Sequence, residues 1–249
     1  MRDDMKIALV TGSTKGIGRS IALKYLKEGY FVIANYSSDD EAANLLKQSV
    51  QAYQIDDYIP LVIMKEDLST YQGALNFSNK IKKIASKIDI VILNCGATDR
   101  SRFEDITKES WEKIMNINLN VPFYLLQELN KMISPNHGRI IFIGSIMGIY
   151  PHSTSLAYGV TKAAIHQMAK ELVKVFAERK ITVNAIAPGF VETPRQEQKT
   201  SEQKQRIENK IALNRFGTPE EISDICWFIT KNSYINGAVI EADGGYCYI

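Results

Sequence analysis

A tyrosine and a lysine four residues apart, Tyr158 and Lys162 in the stretch "AYGVTKAAIH", are the first residues whose types and spacing suggest chemistry. On a helix, positions i and i+4 share a face, so phenol and ammonium act at one point in space. A free phenol titrates near pH 10 and is a slow acid and a weak base at neutral pH. Positive charge within about 4–6 Å lowers that value, which fits the pair to give a proton to a carbonyl oxygen or to take one from an alcohol. Taken alone, such a pair is more often a surface contact on a helix, so further residues must carry the reading. Ser145 follows the apolar run "RIIFIG", where its hydroxyl can donate to an oxyanion beside the phenol. Asn118, in "MNINLN", is an amide inside a helical pattern that suits it poorly. It is a candidate for holding a water between Lys162 and solvent, with Asn116 and Asn120 as alternatives.

A proton donor of this kind needs a hydride donor, and the glycine turn supplies a place for one. "TGSTKGIGRS" puts Gly12, Gly16 and Gly18 between an apolar run and a helical pattern. Glycines permit a tight turn and let backbone N–H groups approach a pyrophosphate, which the following helix N-terminus also attracts. The spacing is neither G-x-G-x-x-G nor a Walker A loop. The second apolar run ends "VIANYSSDD", with Asn35 where an acid would bind the ribose hydroxyl of NAD. With no carboxylate there to repel a 2′-phosphate, and with Lys15 and Ser37 to receive it, NADPH is the expected cofactor rather than NAD. Asp39 and Asp40 read as the start of the next helix, where acids suit the dipole.

Seven short runs rich in Val and Ile recur: "KIALV", "FVIAN", "YIPLVIM", "DIVILN", "RIIFIG", "ITVNAIA" and "AVIEA". Runs apolar throughout suit strands covered on both faces. Segments of helical spacing separate them, at 19–29, 71–86, 110–132 and 164–179. The alternation predicts an α/β fold: one Rossmann-type, doubly wound parallel sheet of about seven strands with helices on both faces, and a ligand crevice at the carboxyl ends of the strands. Residues 1–249 are read as a single domain, because no linker, repeat or low-complexity tract divides them. The polar stretch 195–210 is the one break in composition, either a cover over the crevice or a solvated surface helix.

Composition narrows the function class. Lys and Arg number 30 against 28 Asp and Glu, spread along the chain, which argues against a nucleic-acid or polybasic membrane surface. Cys95, Cys226 and Cys247 are odd in number and widely spaced, so neither a disulfide framework nor a metal site is expected. No segment approaches the roughly 18 consecutive apolar residues of a membrane span. A cytoplasmic protein is expected.

The motifs "TGSTKGIG", "NCGA", Asn118, Ser145, "YGVTK" and "PGFVET", in this order and spacing, resemble the classical short-chain dehydrogenase/reductase family from about Lys6 to the C-terminus. The resemblance implies an Asn118-Ser145-Tyr158-Lys162 catalytic tetrad. It implies cofactor contacts from Ser13, Thr14 and Ile17 in the glycine turn, Tyr36 beside Ser37, Asp67 and Leu68 near the adenine, Gly96 near Tyr158 and Lys162, and Pro188 and Gly189 after the sixth strand. In the same reading Asn94 steadies the central sheet, and Val191 and Thr193 contact the nicotinamide carboxamide. Within the family the chain is most similar to bacterial 3-oxoacyl-[acyl-carrier-protein] reductases, through "LVTGSTKGIGRSIA", "HGRIIFIGSIMG", "ITVNAIAPGFVET" and "NRFGTPEEI". Arg179 matches a basic position with which such reductases dock the acidic carrier protein. Its usual basic partner is Asn136 here, and Cys95 stands where alanine is common.

The expected activity is therefore NADPH-dependent reduction of a 3-oxoacyl thioester in acyl-chain biosynthesis. The same chemistry on a sugar, polyketide-like chain, steroid or small ketone is the alternative, because segments 98–105, 146–156 and 192–212 that build the substrate face carry no decisive motif. A dinucleotide-binding regulatory protein without catalysis is the third reading, and the complete tetrad argues against it. A homotetramer is expected, since the helix after Tyr158 shows apolar residues at Ala163, Ile165, Met168, Leu172, Val173, Val175 and Phe176. The tail "GGYCYI" offers a second contact.

Overall fold

All seven apolar runs become strands of one parallel sheet in the computed structural model, which describes residues 5–53, 58–152 and 154–248. These are β1 (Ile7–Val10), β2 (Phe31–Tyr36), β3 (Leu61–Lys65), β4 (Ile90–Leu93), β5 (Arg139–Ile143), β6 (Thr182–Pro188) and β7 (Val239–Ala242), in the order β3-β2-β1-β4-β5-β6-β7. The sidechains of Cys247 and Ile249 from the C-terminal tail lie outside the described residues. The helices are α1 (Gly16–Lys27), α2 (Asp40–Ser49), α3 (Tyr71–Lys82), α4 (Lys108–Met115), α5 (Val121–Leu129), α6 (Leu156–Phe176), α7 (Pro194–Glu197), α8 (Ser201–Glu208) and α9 (Pro219–Lys231).

The unbroken apolar strands are explained by two cores, one on each side of the sheet. Side chains alternate between faces along a strand. Ile7, Leu9, Ile33, Val91, Phe142 and Val183 pack on one face against α3, α5 and α6 residues such as Phe77, Leu125 and Ile165. Ala8, Val10, Val32, Ile92, Ile141 and Ile186 pack on the other against Ile21, Leu46 and Ile229 of α1, α2 and α9. The chain reverses direction of build between β1 and β4, which pair in parallel through Val10 and Ile92. That switch point opens a crevice at the strands' carboxyl ends.

Two expectations are refined here. The helical pattern 110–132 is borne out as one continuous run from Lys108 to Met132, but a π turn over Asn116–Asn120 widens it between α4 and α5, a local feature that recurs at functional sites. The apolar surface of α6 is mostly consumed by its own core, because Ile165 and Phe176 are buried and Met168, Leu172 and Val173 pack against the same cluster. Val160 and Val175 are the large apolar side chains that α6 leaves exposed beyond its first residue.

Candidate active site

The site begins with the turn between β1 and α1. Gly12 and Gly16 take positive φ values of 61° and 50°. At Gly18 a Cβ would meet the Gly12 carbonyl oxygen at 2.1 Å and Asn94 Nδ2 at 2.5 Å, so no side chain fits. Asn94, after β4, donates from Nδ2 to the Thr11 and Gly12 carbonyls at 3.0 Å each, and so ties the glycine turn to the neighbouring strand. The first turn of α1 has no capping side chain and no acid. Its free N–H groups and dipole are a site for an anion, and the glycines leave room for a pyrophosphate to reach them. The residues present therefore fit a dinucleotide.

The crevice beyond this turn has a volume of 680 Å³, and Gly12, Lys15, Gly16, Ile17, Gly18 and Ser37 line its first part. Asn94 and Gly96 line its floor, and Pro188, Gly189, Val191 and Thr193 enter from the loop after β6. Ser13 and Thr14 are buried beneath the turn, and Leu68 is buried in the sheet-side core. Asp67 is exposed and accepts from Ser69 Oγ at 2.8 Å. The Tyr36 hydroxyl donates to Asp40 at 2.7 Å. Asp39 caps α2 by accepting from Ala42 N, as expected of a helix start, and it also forms an ion pair with Lys15.

Asn35 requires correction. Its side chain does not stand at the crevice edge where a ribose-binding acid would be; the residue is 1% exposed. Nδ2 donates to the carbonyls of Glu66 at 3.0 Å, Tyr36 at 3.3 Å and Met64 at 3.5 Å, and Oδ1 accepts from Gly12 N at 3.3 Å. The cause is the sheet: β2 lies between β1 and β3, and pairing with Met64 places Asn35 between two strand ends whose backbone groups need partners. Ser37, two residues further on, is the β2-end residue that lines the crevice.

The reacting groups come together at the carboxyl ends of β4 and β5. Tyr158 is 9% and Lys162 4% exposed, near the start of α6. Lys162 Nζ lies 5.5 Å from the centre of the Tyr158 ring and donates to the Ile143 carbonyl at 2.6 Å. Ser145, just past β5, is bonded to the Tyr158 hydroxyl, and its Oγ accepts from Met147 N at 3.2 Å. Behind it, Ser145 N donates to His166 Nε2 at 3.4 Å.

Asn118 sits in the π turn at 1% exposure. Nδ2 donates to the Ala97 carbonyl at 2.9 Å and to Thr161 Oγ1 at 3.0 Å, while Oδ1 accepts from Ala97 N at 2.8 Å. The amide thus pins the loop after β4 to α6. Both of its hydrogens are committed.

The electrostatics differ from a simple lysine–phenol pair. Burial raises the Tyr158 phenol above its ordinary range, and the cation that opposes this most is Arg195, helped by the bond from Ser145. Burial brings Lys162 down to about 7, with Arg195 adding to the fall and Cys95 opposing it. Arg195 was not singled out by the sequence, where it is one charge in a polar run. Pro194 opens α7 directly after Thr193 and turns the guanidinium inward, so that Nη2 donates to the Gly96 carbonyl at 3.0 Å. The stretch 195–210 forms α7 and α8 and contributes Gln196, Lys199, Arg206 and Lys210 to the crevice wall, as a cover would.

Arg179 lies away from the crevice and is bonded within the fold. Nη1 donates to the Asn130 carbonyl and side chain at 2.8 and 2.7 Å, and Nη2 donates to the Ile133 carbonyl. Asn136 N donates to the Arg179 carbonyl at 2.8 Å. No helix among the described residues is long and apolar enough to cross a membrane.

A parallel sheet switched at β1/β4, a glycine turn beside it and a buried serine, tyrosine and lysine at its edge define a dinucleotide-binding oxidoreductase. The chain belongs to the short chain dehydrogenase family, whose model matches residues 6–204, and it acts on C=O/CH–OH groups. It is 34% identical over 245 residues to the 3-oxoacyl-[acyl-carrier-protein] reductase of Aquifex aeolicus, covering 96% of both chains. It is 35% identical to the same-named protein of Haemophilus influenzae, covering 96% of this chain and 97% of that one. The solved RhlG/NADP active-site complex of Pseudomonas aeruginosa superposes with a TM-score of 0.88 at 30% identity, covering 97% of this chain and 96% of the other.

Proposed function

We propose that this protein is an NADPH-dependent reductase of a 3-oxoacyl thioester, forming the 3-hydroxyacyl product. The observation that carries the proposal is the Ser145–Tyr158 hydroxyl pair backed by Lys162 and facing the same crevice as the glycine turn. The likeness to reductases of that substrate over nearly the whole chain supports it. A nicotinamide held beside Tyr158 and Lys162 would supply the hydride for the carbonyl carbon.

The chain's own residues manage the oxygen. Ser145 donates a hydrogen bond to it and Tyr158 gives it a proton, which matters most as charge develops. Because burial holds Lys162 to about 7, its ammonium exchanges protons with solvent at neutral pH and can restore the phenol. Asn118 braces the loop that carries Gly96 and Ala97, and a water relay through it uses the remaining lone pairs of its oxygens rather than its committed N–H groups. Tyr158 and Lys162, with the glycine turn, Asn94, Gly96, Pro188, Gly189, Val191 and Thr193, are proposed to hold the cofactor. The preference for NADPH rests on Ser37 and Lys15 at an edge whose lining has no carboxylate among the described residues. The Lys15–Asp39 pair must open or share its cation with the 2′-phosphate.

The proposed partner is an acyl carrier protein, toward which Arg179 still presents charge although its donors are bonded locally. Assembly as a homotetramer is proposed through the exposed Val160 and Val175 of α6 and Phe123 of α5.

Steady-state NADPH oxidation with acetoacetyl-carrier protein, acetoacetyl-CoA and unrelated ketones tests the reading. Turnover of the thioesters, lost by about a hundredfold or more in Tyr158→Phe while NADPH still binds, is the expected result. No oxidation of NADPH with any carbonyl overturns it. Sedimentation at micromolar concentration tests the assembly, and a monomer would reject it.

A further inference from the structure

The half of the crevice that the cofactor reading does not use is basic. Arg100 reaches it from the loop after β4, His152 from the loop after β5, and Arg195, Lys199, Arg206 and Lys210 from the α7–α8 cover. Not one aspartate or glutamate lines the crevice among the described residues, in a chain whose acids and bases are nearly equal in number. Nor does any of these four cover residues or Arg100 have an ion-pair partner among the described residues. Lys199 is the clearest case. Its Nζ is fully buried and has no hydrogen-bond partner among the described residues.

A buried ammonium without an acceptor is costly, because three donors are desolvated and unpaired. The cations also repel one another: Arg100 and Arg195, after burial, lower Lys199, and Arg100 and Lys210, after burial, lower His152. The arrangement is continuous with the chemistry, since Arg195 stands against both Lys199 and the Tyr158 hydroxyl. The phosphates of the cofactor have donors of their own, the uncapped backbone N–H groups at the first turn of α1.

We propose that the wall formed by Arg100, Arg195, Lys199, Arg206 and Lys210 is a subsite for an anionic group, a carboxylate or a phosphate, carried by the carbonyl substrate. The proposal rests on the reading that a carbonyl is reduced at Tyr158, and it adds what the remainder of that molecule is. An anion there accepts from Lys199 and neutralises a cluster whose charges the fold leaves uncompensated. Its source is either a carboxylate within the substrate or the phosphate of a pantetheine handle.

Three acetoacetyl-type substrates separate these sources in phosphate-free buffer at low salt: the neutral N-acetylcysteamine thioester, acetoacetyl-CoA with its phosphates on the handle, and 3-oxoadipate with carboxylates on the substrate. Each is measured with the full-length protein, the Lys199→Gln/Lys210→Gln double variant and Lys199→Arg. The ratio of kcat/KM for an anionic substrate over the neutral one should fall about tenfold to a hundredfold in the double variant, the loss expected for a charged hydrogen bond. Lys199→Arg should keep the ratio. A fall confined to the CoA thioester assigns the handle phosphate, and a fall confined to 3-oxoadipate assigns a carboxylate. An unchanged ratio, or a rise in the KM of NADPH alone, overturns the proposal.

A second readout is independent of turnover. Calorimetric titration of inorganic phosphate and of malonate into the NADP-saturated protein should give a heat that the double variant lacks. No such heat in the unmodified protein overturns the subsite. If no substrate is reduced while the heat is present, the reductase reading fails and the anion subsite stands.

Discussion

Replacing Asn35 by aspartate separates two views of how this fold chooses its cofactor. If residue 35 faced the ribose, a carboxylate there would favour NADH. The structure instead surrounds its side chain with the Glu66, Tyr36 and Met64 carbonyl oxygens at 3.0–3.5 Å, at 1% exposure. A carboxylate in that place has no cation to pair with and faces like partial charges, so it holds its proton to a higher pH than a free aspartate does. A rise of about 2–3 pH units above the unfolded value near 3.9, at about 1.4 kcal/mol per unit, costs roughly 3–4 kcal/mol at pH 7. For a chain of this size each kcal/mol lowers Tm by about 2–4 °C, so a drop of about 10 °C is expected. The sign follows from proton linkage. With its folded value raised, the introduced group is harmless below the unfolded value, where the protonated carboxyl donates to Glu66, and destabilising as pH climbs from about 4 toward 7. Thermal unfolding of Asn35→Asp at pH 4.5 and pH 7 should show a small deficit at the lower pH and a large one at the higher. The NADPH-to-NADH ratio of kcat/KM should stay near that of the unmodified enzyme. Native stability combined with a switch to NADH would refute the assignment. Ser37→Asp is the contrasting change: on the crevice lining, about 1 kcal/mol per charge pair against a phosphate of nearly two charges raises the NADPH KM roughly tenfold to thirtyfold.

Gly18→Ala places a Cβ 2.1 Å from the Gly12 oxygen and should cost about 1–3 kcal/mol and weaken NADPH binding, read by denaturation and by cofactor titration. Lys162, at about 7 in the fold against 10.5 unfolded, binds fewer protons in the folded state between those values, so its burden is greatest below pH 7 and is relieved as pH rises toward 10.5. Lys162→Met should therefore be inactive yet more stable at pH 6 by about 2–4 kcal/mol after the lost bond to Ile143, with the advantage gone near pH 10. Burial pushes the Cys95 thiol up to about 11, so iodoacetamide at pH 8 should leave it unlabelled in the native protein and label it in urea, followed by peptide mass mapping.

The sequence order and type of the main elements were legible in the amino-acid sequence because each rests on a local pattern. Seven doubly apolar runs can be satisfied only by a sheet covered on both faces, and all seven became strands. Tyr158 and Lys162 were legible because helical spacing alone brings them together, and the glycine turn because positive φ and a close carbonyl leave no alternative residue. What depends on contacts between distant segments was not. The direction of the Asn35 side chain is decided by the β2–β3 register and by the needs of three carbonyls from other parts of the chain. The apolar residues of α6 are the same whether they meet another subunit or their own core, and packing against β5 and β6 consumed most of them. The polar run 195–210 read equally as a cover over the crevice or as a solvated helix, and nothing in it singled out Arg195 or Lys199. Only the folding of α7 and α8 across the crevice, with Pro194 turning the chain inward, set them beside Tyr158 and Arg100. Sequence periodicity determines which side of an element is buried; tertiary structure alone decides what it is buried against, and hence which buried charge is left waiting for a ligand.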